Sequence, residues 1–213
     1  TIMKTVDVHP MPAVSFAIND SAQCLFQNNF LFSNNSYIPY GTLSHLWKFG
    51  DGKSSFQNNP THSYDSNGTF TNTLIVQSQN GCVDSLKNSI IVHPMPMVRP
   101  YLNNNSQCIN QQKFEFTDSS TIVTGNLTRL WKFGDSTVST AAVVYKNYTY
   151  PGIKSIRLIQ VSDMGCADSA FLQAEVFHKP YPSVKVNDND QCLSGNLFTF
   201  LSNSSVNNAT LSH

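Results

Sequence analysis

The chain has 213 residues, with 13 basic against 13 acidic side chains, no net charge, and charged residues at only 12%. No basic patch invites nucleic acid or an anionic membrane surface, and no apolar run approaches the roughly 20 residues of a membrane span. The 40% hydrophobic content is enough for ordinary cores in units of about 85 residues, under a surface rich in Asn, Ser and Thr. Residues 1–9 lack the basic and apolar regions of a signal peptide. The expectation is therefore an internal piece of something longer.

Sliding the sequence along itself until Trp47 meets Trp131 exposes a repeat, and these are the only tryptophans. At the same offset Phe30 and Phe32 fall on Phe114 and Phe116, then on Phe198 and Phe200. Tyr64 falls on Tyr148, Gly68 on Gly152, and Asp84-Ser85 on Asp168-Ser169. The domains read off this interval are residues 9–92, 93–179 and the start of a further, incomplete repeat at 180–213. Because Val6 and Val8 fall on Ile90 and Val92, residues 1–8 are expected as the last strand of a preceding repeat.

In chain order the first repeat predicts strands at residues 14–18, 29–32, 44–49, 61–64, 69–76 and 86–92, each alternating in polarity. Gly50-Asp51-Gly52 follows the third strand as a turn. No segment keeps a helical period. About seven short strands with turn signals in about 85 residues form a β-sandwich pattern. The repeats are joined by His9-Pro10-Met11-Pro12, His93-Pro94-Met95-Pro96 and Lys179-Pro180-Tyr181-Pro182. Proline fixes φ and disfavours helix before it, so these linkers are expected to be stiff. The fold class expected is all-β, with tandem sandwiches of about 84 residues arranged as a rod.

Trp47-Lys48-Phe49-Gly50-Asp51-Gly52, with Pro60-Thr61-His62-Ser63-Tyr64 and Gly68-Thr69-Phe70 downstream, resembles the PKD domain. Its copy keeps Trp131, Phe133, Gly134, Asp135, Tyr148 and Gly152, but has Ser136 for the second Gly and Lys146 for His62. That departure makes Trp47, Phe49, Gly50 and Asp51, with their copies, a fold signature rather than a shared binding site. The resemblance implies an immunoglobulin-like sandwich serving as spacer, adhesive or protein–protein module. The Gln-Cys-Leu and Gly-Cys-x-Asp-Ser elements look like tandem PKD-like repeats of large Bacteroidota surface proteins. That likeness implies export, commonly by type IX secretion.

Cys24 and Cys82 have the same spacing in sequence as Cys108 and Cys166, which suggests disulfides and an oxidising compartment. The simple pairing is Cys24–Cys82 and Cys108–Cys166, with Cys192 left over. A second pairing stays open. In an immunoglobulin-like topology the two cysteines of one repeat tend to lie at opposite ends, which would bring Cys24 to Cys166 instead.

Catalysis finds little support. His9, His93 and His178 sit beside linker prolines, and Asp51 and Asp135 read as turn-capping side chains. No nucleophile-elbow, metalloprotease, phosphate-loop or dinucleotide motif is present. Asp20, Asp51 and Asp65 are too scattered for the oxygen cluster a calcium ion needs. No enzyme, metal or cofactor is expected. Asp-Ser triplets of the kind Bacteroidota O-glycosylate place candidates at Ser21, Ser85, Ser136 and Ser169. The function expected is a structural or adhesive segment of a long extracellular rod or filament. Its expected partners are neighbouring repeats, other copies and surface glycans. The alternative is an accessory module of a secreted hydrolase or protease, presenting Tyr37, Tyr40 or Tyr101 to polysaccharide or protein.

Overall fold

A computed structural model describes residues 3–207 and 210. Every regular element among them is a strand. The first repeat holds β1 (Phe16–Ile18), β2 (Ala22–Cys24), β3 (Phe30–Asn34), β4 (Leu43–Lys48), β5 (Ser54–Ser55), β6 (Thr61–His62), β7 (Gly68–Ser78) and β8 (Val83–His93). The second holds β9 (Pro100–Leu102), β10 (Ser106–Cys108), β11 (Phe114–Asp118), β12 (Leu127–Lys132), β13 (Val138–Ser139), β14 (Val143–Lys146), β15 (Gly152–Ser162) and β16 (Ala167–Phe177). β17 (Val184–Val186) and β18 (Phe200–Ser202) follow as an antiparallel pair.

One sheet of the first repeat runs β1-β3-β6 and the other β2-β8-β7-β4-β5. The second repeat gives β9-β11-β14 and β10-β16-β15-β12-β13, the same orders again. Two pairings are parallel, β2 on β8 and β10 on β16. The chain is thus all-β and built of immunoglobulin-like sandwiches. The chain divides into two compact units: residues 1–96 with 122–127 and 161–167, and residues 97–121, 128–160 and 168–213.

Alternation explains which side chains fill the cores. In β7 the pattern from Asn72 to Ser78 buries Asn72, Leu74, Val76 and Ser78 and turns the residues between them outward. Leu74 and Val76 join Phe30, Phe32, Trp47, Phe49, Tyr64, Ile90 and Val92 in one core. Phe114, Phe116, Trp131, Phe133, Tyr148, Ile156, Leu158, Ala174 and Val176 close the other. Each large apolar side chain so buried contributes about 1.5–3 kcal/mol.

Residues 3–8 have no regular structure, and Val6 and Val8 are exposed. Their counterparts Ile90 and Val92 are strand residues because β8 lies between β2 and β7, and residues 3–8 have no such neighbours.

Candidate functional site

The signature stretch builds a locked corner. Trp47 is fully buried, edge-on to Phe16 at 5.1 Å, and its indole Nε1 donates to the Asn58 carbonyl at 3.3 Å. Gly50 then turns the chain with φ +85°, and Asp51 Oδ1 accepts from the Lys53 amide at 3.0 Å. Asp51 Oδ2 meets His62 Nε2 at 2.8 Å, and the His62 ring stacks on Phe49 at 4.0 Å. The Tyr64 hydroxyl donates to this corner, 2.9 Å from the Phe49 carbonyl and 2.7 Å from Asn72 Oδ1.

The copy keeps the plan with different chemistry. Asp135 Oδ1 accepts from the Thr137 amide at 3.1 Å, and Oδ2 meets Lys146 Nζ at 2.7 Å. The lysine sits over the rings of Phe133 and Tyr148 at 5.7 and 5.5 Å. Tyr148 donates to the Phe133 carbonyl at 3.1 Å. A histidine and a lysine therefore fill one place, a side-chain nitrogen clipped to the turn carboxylate over a phenylalanine.

Burial alone would raise the Asp51 carboxyl, but the His62 and Lys53 hydrogen bonds hold it below the ordinary carboxylate range. Asp135 behaves likewise, lowered against burial by Lys146 and Thr137. Burial pushes the Tyr64 and Tyr148 phenols well up. Folded-state carboxyls below their unfolded values stabilise the fold above the unfolded range, and that stability is lost as pH falls through the folded values. Thermal melts should accordingly fall as pH drops from about 4 toward 2. A melting temperature flat across that window would contradict the clipped-carboxylate reading.

Buried amides that sequence reasoning missed hold the same corner. Asn28 Oδ1 accepts from the Tyr64 amide at 2.7 Å, and its Nδ2 donates to the Tyr64 carbonyl at 2.9 Å. Gln112, the counterpart of Asn28 in the second repeat, clamps Tyr148 in the same two ways. The signal was an amide side chain two positions before each Phe-x-Phe strand, which looks like an ordinary loop residue.

The second repeat also buries a charge. The Asp118 side chain is 2% exposed and accepts from Arg129 Nε and Gln160 Nε2, each at 2.7 Å. Burial would raise this carboxyl, but bonds from Ser120, Arg129 and Gln160 lower it. Gln160 Oε1 is buried and unpartnered. The first repeat has Asn34, His45 and Val76 at these places. Asp118→Asn alone should cost about 2 kcal/mol, since it strands Arg129 and Gln160. Adding Arg129→His and Gln160→Val should recover most of that in urea denaturation. A triple variant as unstable as the single one would contradict this.

The cysteines correct the simple pairing. Cys24 is bonded to Cys166, with Cα atoms 5.6 Å apart, while Cys82, Cys108 and Cys192 are free. Cys24 closes β2 level with His93, the end of the 11-residue β8, whereas Cys82 stands just before that strand begins. At about 3.3 Å per residue those positions are roughly 35 Å apart, far beyond the about 7 Å a disulfide spans. Cys108 and Cys166 are separated by β16 in the same way.

Of the candidate glycosylation residues, Ser21, Ser85 and Ser136 are exposed. Ser169 is partly buried, and its Oγ accepts from Arg157 Nη2 at 3.0 Å. Tyr37, Tyr40 and Tyr101 are all exposed. Among the described residues no three His, Cys, Asp or Glu side chains come together to hold a metal, and no helix is long and apolar enough to cross a membrane.

Comparison with known proteins agrees with this architecture. The PKD domain family matches residues 9–92. Among solved structures, the PKD1 domain of the Vibrio cholerae metalloprotease PrtV is 30% identical. It covers 39% of this chain and 98% of its own, with a TM-score of 0.35. Through residues 9–92 the chain belongs to the PKD domain family. Collagenase ColQ1 of Bacillus cereus is 28% identical over 91 residues, which are 43% of this chain and 9% of that protein. Microbial collagenase of Vibrio alginolyticus is 38% identical over 61 residues, 28% of this chain and 8% of that protein. The chain therefore spans under a tenth of the collagenases it matches.

Proposed function

We propose that this chain is a non-catalytic accessory segment of a larger secreted protease, built of PKD-like sandwiches and working outside the cell. What carries the reading is the match to collagenases in which the shared part is under a tenth of the protein. A disulfide suits an oxidising compartment. The signature carboxylates are occupied in holding a turn, which leaves them no free role in hydrolysis. Exposed Tyr37, Tyr40 and Tyr101 offer flat amphipathic faces to a protein or polysaccharide substrate. Sequencing the intact parent tests this. A protease domain in the same polypeptide is expected, and a parent without any catalytic domain overturns it.

A second reading is favoured by a specific observation, the covalent link from one repeat to the next. Under it the chain is a structural or adhesive segment of a long extracellular rod or filament, and the parent is a long array of such repeats. O-glycosylation at Ser21, Ser85, Ser136 and Ser169 belongs with either reading. An intact mass of the native protein equal to the polypeptide mass would remove it.

A further inference from the structure

The bond between Cys24 and Cys166 has a second copy of each half elsewhere in the chain. Cys108 is the counterpart of Cys24 in the second repeat and keeps its setting. Cys24 closes β2 level with His93 on β8, and Cys108 closes β10 level with Phe177 on β16, both in parallel pairing. The amide after each cysteine donates to the carbonyl of that partner, Leu25 to His93 at 2.8 Å and Ile109 to Phe177 at 2.9 Å.

Cys82 is the counterpart of Cys166 in the first repeat and keeps its setting as closely. The Cys82 amide donates to Ser78 Oγ at 3.1 Å, and the Cys166 amide to Ser162 Oγ at 3.1 Å. Their carbonyls accept from the amides of Ser78 and Ser162 at 2.9 and 2.8 Å. Gly81 and Gly165 precede them with φ of +85° and +82°. One bonded pair thus defines two kinds of cysteine, a strand-end kind and a hairpin-turn kind. Each kind has a free member, and the lengths of β8 and β16 deny it a partner in its own repeat.

We propose that Cys108 and Cys82 are halves of further staples of the Cys24–Cys166 kind. Cys108 takes the hairpin-turn cysteine of an adjoining repeat in the same polypeptide, and Cys82 takes the strand-end cysteine of another. The inference rests on the tandem arrangement common to both readings above. Each staple forms as two thiols give up two protons and two electrons, which reduce the disulfide of a thiol–disulfide oxidoreductase to its dithiol. Cys108 is exposed, as access by such an enzyme requires.

The test uses the native full-length protein, treated with iodoacetamide without reductant, digested and mapped by mass spectrometry. Cys82 and Cys108 should escape alkylation, each in a peptide cross-linked to a cysteine peptide from outside residues 1–213 and released by reduction. Full alkylation of both, in a parent that does carry flanking repeats, overturns the proposal and leaves the tandem arrangement standing. A parent without flanking repeats overturns the arrangement and the proposal together. A Cys82–Cys108 cross-link between copies, seen as a ladder of multimers on a non-reducing gel, overturns it in favour of chain-to-chain linkage.

Discussion

Trp47→Ala should lower the stability of the first sandwich by about 4 kcal/mol, the cost of emptying a fully buried aromatic site. The indole is held edge-on by Phe16 and at a tilt by Phe32, with ring centroids 5.1 and 5.3 Å away. Two short strands, β1 and β3, therefore lean on one side chain, and neither can move into the space without breaking its register with the other. A domain stable by only about 5–15 kcal/mol keeps little margin after such a loss. Trp131 remains as an internal fluorophore in the second sandwich, so its emission and the far-ultraviolet dichroism should unfold at separate denaturant concentrations. Phe56→Ala is the control, since Phe56 is 77% exposed and its loss should stay within about 0.5 kcal/mol.

Gly50→Ala should cost about 3 kcal/mol or more, and Gly52→Ala about 1 kcal/mol, although both glycines have φ near +90°. The difference is space. A Cβ on Gly50 would stand 2.7 Å from the Thr71 carbonyl oxygen and 3.0 Å from its nitrogen, and both are backbone atoms of β7. A Cβ on Gly52 meets nothing within 4 Å. The second repeat has already made the tolerated change. Ser136 stands at the Gly52 position with φ +67°, while Gly134, at the Gly50 position, would put a Cβ 2.7 Å from the Ser155 oxygen. Equal losses from the two substitutions, measured by urea denaturation, would show that conformation alone sets the cost.

The residues that were legible in the sequence are those whose side chains repeat a period. Phe30 with Phe32, and Trp47 with Phe49, alternate and recur in the second repeat, so core, strands and signature could be read from them. The copy has Ser136 in place of the signature's second glycine, and the empty space around Gly52 explains why. Less legible were β2 and β10. Such short strands, pairing in parallel with the end of a distant strand, carry no alternation of their own. Missing β2 hid the position of Cys24, and the equal cysteine spacing in both repeats then suggested a partner that lies at the far end of β8. Topology pointed to Cys166 instead, and the strand lengths bear that out. Buried amides were the other blind spot. Asn28, Gln112 and Gln160 look like surface residues until the hydrogen bonds that bury them are known.

The signature corner and the disulfide divide the work: the repeated motif holds each sandwich's turn, and one bond ties Cys24 to Cys166. A non-reducing peptide map of the oxidised chain puts this division to the test. The expected result is a peptide joining Cys24 to Cys166, with no peptide joining Cys24 to Cys82. Recovery of a Cys24–Cys82 peptide would contradict it, because no sandwich with β2 beside the end of β8 can form that bond.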